Sequence, residues 1–360
     1  MSGLLLLAAA VQLLAWRFIL SRAFPSPDPS PVAGHTAPVS VIVCFRNETA
    51  GLEACLRSIL AQHHPHFEVI AVDDNSTDAS PGIVRRLQQT FTHLRLVTPG
   101  PTRPGKKDAL TAGIGAAAHD ILLLTDADCI PATPEWLTRM TAPLTVGAEL
   151  VLGCSPYQSG NGLLNRWQRF EATYVALQYQ GFARTGHPYM SVGRNLAYRK
   201  SFFRRAEGFT AHAHVPGGDD DLLINRHAQP ATTVSVTHPA SWTYSRTSYT
   251  WQAYLRQKLR HQSVGPLYRP LHRVLLAALA LSHGLFYLVG LYLLFTLACG
   301  WALLLYALRA AIVLGVYRRH PVRKFLGGDA GAGFVLLGDA LLAPYYLFLA
   351  VATALPPGRW

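Results

Sequence analysis

Four apolar stretches at the two ends of the chain constrain its fold more than any other feature. They are residues 3–20 near the N-terminus and residues 274–298, 300–317 and 333–351 in the last quarter. Apolar runs of about 17 to 25 residues have the length of a membrane-spanning helix. Charged residues make up only 14% of the chain, against roughly 25% in an average soluble domain. The sequence therefore predicts an N-terminal anchor and two or three C-terminal spans.

Basic residues beside these stretches predict how they are oriented. No basic residue precedes the first stretch, whereas Arg17 and Arg22 lie at its end, and the segment 318–324 (RRHPVRK) follows the third. Loops rich in Lys and Arg stay in the cytoplasm. We therefore expect the N-terminus outside, and the long middle region and segment 318–324 together in the cytoplasm. The expected location is the cell inner (plasma) membrane, with several spans.

Arg309 is unusual because it lies inside the third apolar stretch, 300–317. A charged side chain at membrane depth is costly, so it needs an explanation. Three explanations are open: the side chain reaches the membrane surface, it faces a neighbouring helix, or the segment lies at the membrane interface.

Between the apolar ends, the chain has the pattern of a soluble α/β domain. Short runs rich in β-branched residues alternate there with helical patterns. The runs are 39–45, 67–72, 94–98, 120–125 and 149–154, and the helical patterns are 50–61, 80–91, 106–118 and 134–145. Nearly continuous apolar strands alternating with helices indicate a mostly parallel sheet with helices on both faces. Such sheets bind ligands at the carboxyl ends of their strands.

These patterns divide the chain into four parts. We expect an anchor at 1–22, a linker rich in Pro and Ser at 23–37, the α/β domain at 38–263 and a membrane region at 264–360. The linker composition predicts a stiff, extended segment.

The net charge limits which partners are expected, and the cysteines indicate the redox compartment. A net charge of +12 is compatible with nucleic acid, anionic lipid or a phosphorylated substrate. Neither a zinc-finger spacing nor an aromatic-basic RNA motif is present, so we expect no nucleic-acid partner. The five cysteines form no CxxC pair, and we interpret them as buried small residues in a reducing compartment.

Carboxylates follow two of the predicted strands. Asp73 and Asp74 follow the second strand, and Asp126 and Asp128 follow the fourth. They should converge on one crevice, since the ends of parallel strands meet at one edge of a sheet. Turn and capping chemistry explains residues 75–78, but not two acids after a buried strand. Alternate carboxylates on an extended chain point to the same side and can hold a divalent cation that keeps positions open for phosphate.

Two further segments carry candidate functional groups. Lys106 and Lys107 open a predicted helix, and a helix N-terminus with lysines suits a diphosphate. A solvated basic helix start is an equally open interpretation. The segment 217–222 (GGDDDL) packs three acids together, and their repulsion must be relieved by a cation or by base chemistry. We interpret this segment as lining a cleft, because apolar residues follow it.

A basic segment lies shortly before the C-terminal spans. Gln257, Arg260 and His261 share one face of a predicted helix at 250–262, by their i, i+3, i+4 spacing. An interfacial helix with its basic residues toward lipid headgroups is the alternative. Both interpretations can hold at once.

Taken in order, these segments resemble the family-2 glycosyltransferases in their membrane-integrated form. The resemblance covers about residues 38–263 and rests on PVSVIVCFRNE, FEVIAVDDNSTD, GKKDAL, LLLTDADC, SVGRNLAYRK, GGDDDLLIN and QKLRH. It implies a GT-A fold, which is α/β with a Rossmann-like, mostly parallel sheet. It also implies an inverting transfer of a sugar from a nucleotide-activated donor, with Mg²⁺ or Mn²⁺ held by a DxD motif.

The resemblance implies roles for individual residues. Asp220 would be the general base, with Asp219 as its acidic neighbour, and Asp128 with Asp126 would bind the metal and the diphosphate. The donor would be bound by Asp74, Asp73, Lys106, Asp126, Gln257, Arg260 and His261. Gln257 and Arg260 match the QxxRW motif of processive synthases, in which His261 here replaces Trp.

We therefore expect a hexosyltransferase-type enzyme that acts at the cytoplasmic membrane face. Its partners would be a nucleotide-sugar donor, expected to be UDP-linked, a lipid-linked or glycan acceptor, and membrane lipids. A processive polysaccharide synthase of the cellulose or hyaluronan type is the alternative, and His261 argues against it. A non-catalytic scaffold that binds nucleotide or lipid is the alternative from another class. The presence of Asp74, Asp128, Asp220 and Arg260 argues against the scaffold.

Overall fold

In the computed structural model of the protein, the described residues are 1–25, 35–215, 217–297, 300–328 and 330–354. Most of the predicted linker, the end of the predicted span 274–298 and Cys299 lie outside them. Contacts divide the chain into two units. Unit 1 comprises Met1–Phe24, Ser159–Thr185 and Thr247–Trp360, and unit 2 comprises Pro25–Gln158 and Gly186–Arg246.

Helices and strands follow one another along both units. The helices are α1 Ser2–Phe18, α2 Leu52–Leu60, α3 Ser80–Gln88, α4 Lys107–Ala116, α5 Trp136–Thr145, α6 Leu163–Arg184, α7 Lys200–Arg205, α8 Asp221–His227, α9 Trp251–Gln262, α10 Pro270–Leu297, α11 Gly300–Tyr317, α12 His320–Phe325 and α13 Ala332–Ala354. The strands are β1 Val39–Phe45, β2 Phe67–Asp73, β3 Leu94–Val97, β4 Ile121–Asp126, β5 Ile130–Pro131, β6 Leu150–Leu152, β7 Leu196–Arg199, β8 Thr233–Ser235 and β9 Thr243–Tyr244.

Unit 2 is built on a seven-stranded sheet in the order β3-β2-β1-β4-β7-β6-β8. The pairs β1–β2, β1–β4, β2–β3 and β6–β8 are parallel, whereas β7 is antiparallel to both of its neighbours, β4 and β6. The fold is therefore the expected α/β class with a mostly parallel sheet. The antiparallel β7 carries no signal in the apolar pattern, because an apolar run does not record strand direction.

Apolar periodicity explains how the sheet of unit 2 is covered. All seven residues of β1 are buried, as expected for a central strand with helices on both faces. Helix α2 turns Leu52, Cys55, Leu56 and Ile59 toward this core, at the spacing of one helix face. On α4, a Cβ at Gly113 would lie 2.8 Å from side-chain atoms of the sheet, so this close packing requires glycine.

The predicted elements of unit 2 are present, with ends that shift by a few residues. The pattern at 106–118 forms a helix that ends at Ala116, and the run at 149–154 forms a strand of three residues. The described cysteines, Cys44, Cys55, Cys129 and Cys154, are buried and form no disulfide bond with one another. The predicted division of the chain into four domains stays a prediction; α6 and α9, which fall inside 38–263, belong to unit 1.

Unit 1 contains four helices that are long and apolar enough to cross a membrane, by length and composition among the described residues. They are Ser2–Arg22, Pro270–Phe295, Gly300–Tyr317 and Ala332–Ala354. Helices α1 and α10 pack together through Leu5, Ala8, Phe286 and Val289. The amide of Gln12 joins them by donating to Ser282 Oγ at 2.8 Å and to the Leu279 carbonyl at 3.0 Å.

The structure answers the question that Arg309 raises, since the side chain faces neighbouring helices. Arg309 and Asp339 are each only 1% exposed and form an ion pair between α11 and α13. Arg309 also donates to Gln12 Oε1 at 3.0 Å and to the Tyr287 hydroxyl at 3.1 Å. The pair therefore links α1, α10, α11 and α13.

The basic segment 318–324 lies at the end of unit 1 where α1 finishes. Arg319 Nη1 donates to the carbonyl of Ser21, and the rings of Phe24 and Phe325 meet edge to face with centroids 5.8 Å apart. The end of α1 and the basic segment are thus on one side of unit 1. This arrangement agrees with the expected topology, and the orientation in a membrane stays a prediction.

Candidate active site

Acidic side chains from several loops meet at the carboxyl ends of β1, β2 and β4 in unit 2. Cys44, near the end of β1, lies among them. Burial raises the pKa of its thiol to about 12; Lys106 lowers this pKa, and Asp126, Asp219 and Asp74 raise it. Charges from three separate segments therefore act on the pKa of one buried thiol. This is expected if the acids converge at the carboxyl ends of the parallel strands.

Asp73 and Asp74 are fixed in different ways at the end of β2. Asp73 Oδ1 accepts the Ser76 amide at 2.9 Å, which is turn chemistry. Asp74 Oδ1 accepts the Thr102 hydroxyl at 2.6 Å, and the Asp74 amide donates to the Phe45 carbonyl at 2.8 Å. Both carboxylates are buried. Asp74 is thus held between β1, β2 and the loop before α4, and Asp73 supports the turn beside it.

Asp126 and Asp128 interact, but not through the extended geometry that the sequence predicts. Strand β4 ends at Asp126, and the chain turns at Ala127 and Asp128. The prediction of an extended segment is wrong because a turn starts directly after the strand. Burial and the charge of Asp126 nevertheless raise the pKa of Asp128, while Arg194 lowers it. The two carboxylates are therefore close enough to repel each other.

The two lysines at the start of α4 have different partners. Lys106 forms an ion pair with Asp126; burial lowers its pKa, but Asp126 and Asp219 raise it above its ordinary value. Lys107 is buried and donates to the carbonyls of Val215, at 2.5 Å, and Gly217. Lys107 therefore holds the loop before Asp219, and a diphosphate role for the lysines stays a prediction. Only Lys106 faces the acids at the strand ends.

Asp220 has the environment of a group that exchanges protons near neutral pH. Its Oδ1 accepts the Asp221 amide at 2.8 Å, at the start of α8, and its Oδ2 accepts the Gly193 amide at 2.5 Å. Burial and then the charge of Asp219 raise the pKa of Asp220 to about 7, against the lowering effect of these hydrogen bonds. A carboxylate of this pKa suits general-base work.

Three charged residues that the sequence left without a role interact with Asp128 or with one another: Glu48, Arg194 and Arg246. Burial and the charge of Asp128 raise the pKa of Glu48, whereas Arg246 lowers it. Arg246 Nη1 lies 3.5 Å from Glu48 Oε1, and its Nη2 donates to the Ala50 carbonyl at 2.8 Å. Arg194 is the third. No spacing in the sequence joins these residues, because tertiary folding alone brings them together.

The other predicted donor-binding residues lie on α9, in unit 1. Arg260 and His261 are exposed, and Gln257 is partly buried. Between them, buried Lys258 donates to Glu171 Oε2 at 2.5 Å, which fixes this helix against α6. The predicted role of these three residues at the donor stays a prediction.

The residues of unit 2 fit a divalent cation that a phosphorylated ligand helps to coordinate. Among the described residues, no group of three or more His, Cys, Asp or Glu side chains could hold a metal alone. Mg²⁺ commonly binds through one or two carboxylates together with substrate phosphates, and Asp126 with Asp128 supplies two carboxylates. Burial and then the charge of Asp126 raise the pKa of Asp128, and a bound cation would relieve the repulsion between the two carboxylates.

Comparison with known proteins identifies the segment that carries these acids. Residues 40–206 match the profile of Glycosyl transferase family 2. The chain carries a family-2 glycosyltransferase domain. This domain contains the strands β1, β2 and β4 with Asp74, Asp126 and Asp128 at their ends.

Related proteins resemble parts of the chain. Glycosyltransferase AglE of Haloferax volcanii is 30% identical over 127 residues, which are 34% of this chain and 41% of that protein. The probable glycosyltransferase YdaM of Bacillus subtilis is 23% identical over 62% of this chain and 54% of its own length. The beta-monoglucosyldiacylglycerol synthase of Synechocystis is 31% identical over 48% of this chain and 36% of its own length. The chain thus spans about half or less of these relatives.

A solved structure shares the fold over nearly the whole chain. It is a mannosyltransferase of Pyrobaculum calidifontis in complex with GDP-Man and Mn²⁺, with a TM-score of 0.58 and 22% identity. The match covers 95% of this chain and 99% of that one. Together with the mostly parallel sheet, it confirms the GT-A fold.

Proposed function

We propose that this protein is an inverting glycosyltransferase that moves a sugar from a nucleotide-sugar donor to a lipid-linked or glycan acceptor at the cytoplasmic face of the inner membrane. The observation that carries the proposal is that hydrogen bonds and an ion pair fix acids at the strand ends of unit 2, with Asp74 bonded to Phe45 of β1 and Asp126 paired with Lys106. These acids have different partners, so they suit different parts of one reaction. Asp74 and the Asp126–Asp128 pair suit donor binding, and the Asp219–Asp220 pair suits the acceptor.

Two of these acid sites fit the donor. Asp74 is held rigidly by Thr102 and the backbone, and it would bind the nucleoside base with Asp73 supporting its turn. Asp126 and Asp128 would hold Mg²⁺ or Mn²⁺, which when bound offsets the charge of the leaving diphosphate. Lys106, paired with Asp126, supplies a second positive charge beside that diphosphate.

Asp220 fits the acceptor side of the reaction. An acceptor hydroxyl is weakly nucleophilic, and Asp220 takes its proton as the oxygen attacks the anomeric carbon. The new bond from that oxygen to carbon forms while the bond to the phosphate oxygen breaks, and the electron pair leaves with the nucleoside diphosphate. A single displacement of this kind inverts the anomeric centre. Burial, and then the charge of Asp219, raise the pKa of Asp220 to about 7, so Asp219 helps to tune this base.

Membrane features support an acceptor that is itself held in a lipid surface. Four helices of unit 1 have the length and composition of spans. One relative is named a beta-monoglucosyldiacylglycerol synthase, which supports a lipid acceptor. His261 stands where processive synthases carry Trp, so single transfer is favoured over polymer synthesis.

A donor screen tests this function. The full chain, purified in detergent, is incubated with UDP- and GDP-linked sugars, a diacylglycerol or prenyl phosphate acceptor, and Mn²⁺ or Mg²⁺. We expect release of nucleoside diphosphate that depends on metal and acceptor, and a product of inverted anomeric configuration by NMR. Nucleotide binding without release would favour the scaffold, a retained configuration would contradict the mechanism, and a ladder of products would favour the synthase.

Cysteine labelling in intact cells tests the membrane topology. In a Cys299→Ser background, His320→Cys reports on the exposed basic segment, and Arg204→Cys reports on an exposed position of unit 2. We expect both to resist a membrane-impermeant thiol reagent until the cells are opened. Labelling of His320→Cys alone in intact cells would remove one C-terminal span and move 300–317 to the interface.

A further inference from the structure

Arg194 of unit 2 has a fixed side chain with N–H donors that are available to a ligand. It follows Gly193, whose amide holds Asp220. Its own carbonyl accepts the hydroxyls of Thr125, at 2.8 Å, and Thr243, at 3.0 Å. The backbone of Arg194 is therefore fixed between the end of β4 and β9.

The guanidinium of Arg194 is also fixed, on one edge and one face. Nη1 donates to Ser245 Oγ at 2.9 Å, and the guanidinium carbon lies 4.7 Å from the centroid of the Tyr157 ring. A guanidinium has five N–H donors, and Ser245 is its one hydrogen-bond acceptor among the described residues. Its remaining donors are thus available for a ligand without a change of side-chain position.

Arg194 faces negative charge without forming an ion pair. No carboxylate among the described residues lies within 4.0 Å of its nitrogens. Its carbonyl nevertheless accepts the hydroxyl of Thr125, the residue of β4 directly before Asp126. Arg194 therefore lies beside the strand end that carries Asp126, without a salt bridge to a carboxylate there.

We infer that Arg194 binds a phosphoryl oxygen of the donor diphosphate, beside the strand end that carries Asp126. A partly buried arginine without an anionic partner is costly, and a bound anion removes that cost. Arginine is suited to this role because its planar fork binds phosphate oxygens in pairs. Arg194 and a cation held by the two carboxylates would then both offset the charge of the diphosphate. The inference rests on the proposed function, since it assumes a nucleotide-sugar donor.

Binding measurements separate this role from a structural one. Isothermal titration with Mn²⁺ alone, and then with UDP and GDP in the presence of Mn²⁺, is carried out on the full chain in detergent. The variants are Arg194→Gln, Arg194→Lys and the matched control Arg205→Gln. Arg205 is an exposed residue of unit 2 that pairs with Glu149 at 2.5 Å.

We expect Arg194→Gln to bind the nucleoside diphosphate about 10- to 100-fold more weakly, the size of a lost charge-assisted hydrogen bond. Its affinity for Mn²⁺ alone should stay equal or increase, because a positive charge near the two carboxylates is removed. Arg194→Lys should fall between Arg194→Gln and the wild type, and Arg205→Gln should match the wild type.

Several results would overturn the inference. Unchanged nucleoside diphosphate affinity in Arg194→Gln is the first. Loss of both Mn²⁺ and diphosphate affinity, without recovery in Arg194→Lys, is the second and would show a structural role. Weakened binding of a short prenyl phosphate with unchanged UDP and GDP binding is the third, since it would move Arg194 to the acceptor. Failure of the wild type to bind UDP or GDP would instead reject the proposed donor class.

Discussion

Two groups of buried charges in this chain have opposite surroundings. In unit 1, Arg309 donates to both oxygens of Asp339, to Gln12 and to Tyr287. In unit 2, burial and then the charge of Asp126 raise the pKa of Asp128, and burial and then the charge of Asp219 raise that of Asp220. The first group balances its charges within the protein, whereas the second brings like charges together.

This difference separates a structural role from a binding role. The Arg309–Asp339 pair links helices, and its charges and hydrogen-bonding groups already have partners. A ligand would therefore gain little binding energy from it. Crowded like charges cost stability, and they are tolerated where a ligand or a proton transfer uses them. Since the folded pKa of Asp220, about 7, lies above its ordinary value of 3.8, the folded state binds the proton more tightly. The contribution of Asp220 to stability is therefore complete below about pH 4 and is lost as the pH rises toward 7.

The largest effect is expected for Asp128→Asn. It should lower sugar transfer by about 10³-fold or more, because a charged ligand of the cation is lost at the leaving diphosphate. Asp120→Asn is the matched control, since Asp120 lies just before β4 and pairs with Arg199 at 2.9 Å; it should change transfer little. Wild-type turnover by Asp128→Asn in a chelator-treated sample would show that the metal assignment is wrong.

Asp220→Asn should lower transfer by about 10²- to 10⁴-fold with little change in donor affinity, because it removes proton acceptance. The amide oxygen can accept only one of the Gly193 and Asp221 amides, so thermal stability is measured alongside. In the wild type, the rate should fall as the pH drops below about 7, since Asp220 is then protonated.

Its neighbours provide the controls for Asp220. Asp219→Asn should have an intermediate effect, because it loses the charge that raises the pKa of Asp220. Asp221→Asn should have a smaller effect, since Asp221 is the first residue of α8. An inactive Asp221→Asn beside an active Asp220→Asn would move the general base by one residue.

Arg309→Met tests the other side of the comparison. It leaves Asp339 buried without a counter-charge, which should lower the free energy of unfolding by about 3–5 kcal/mol. The double variant Arg309→Met/Asp339→Leu should recover much of this loss, as measured by thermal unfolding in detergent. Normal stability with lost transfer in the single variant would assign the pair a role in catalysis.

The smallest effect is expected for Gly193→Ala. An added Cβ would lie 3.2 Å from Asp220 Oδ2, so the carboxylate must shift by a few tenths of an ångström. We expect transfer to fall by a few-fold to about 10-fold, since small misplacements of catalytic groups are costly. Gly115→Ala, where a Cβ has no neighbour within 4 Å, is the control. Equal rates for both variants would mean that Asp220 needs no such positioning.

Sequence patterns predict the parts of the site that are encoded locally. Buried strands are visible as apolar runs, so the acids that follow them, Asp74 and Asp126, can be placed at one sheet edge from the amino-acid order alone. The geometry after β4 could not be predicted, because an apolar run shows where a strand ends but not which turn follows it. Likewise, Lys107 looks like Lys106 in sequence, and only folding directs it to the carbonyls of Val215 and Gly217.

Long-range partners were the main omission. Arg194 and Arg246 reach Asp128 and Glu48 from distant segments, and no periodicity joins these positions. The sequence does contain a signal for the pairing of Asp339 with Arg309. Asp339 is an acid inside one apolar stretch, and Arg309 is an arginine inside another. Pairing lone opposite charges between predicted spans would have found it.

Thermal unfolding with and without Mn²⁺ plus UDP or GDP tests the contrast between the two charge groups most directly. A ligand at 100 times its Kd adds about 2.7 kcal/mol of stability to the state that binds it. We predict that the ligands raise the Tm of the wild type and of Arg309→Met by similar amounts, although Arg309→Met starts lower, and leave Asp128→Asn unchanged. An equal shift in Asp128→Asn, or a lost shift in Arg309→Met, would contradict the assignment of ligand binding to the crowded acids of unit 2.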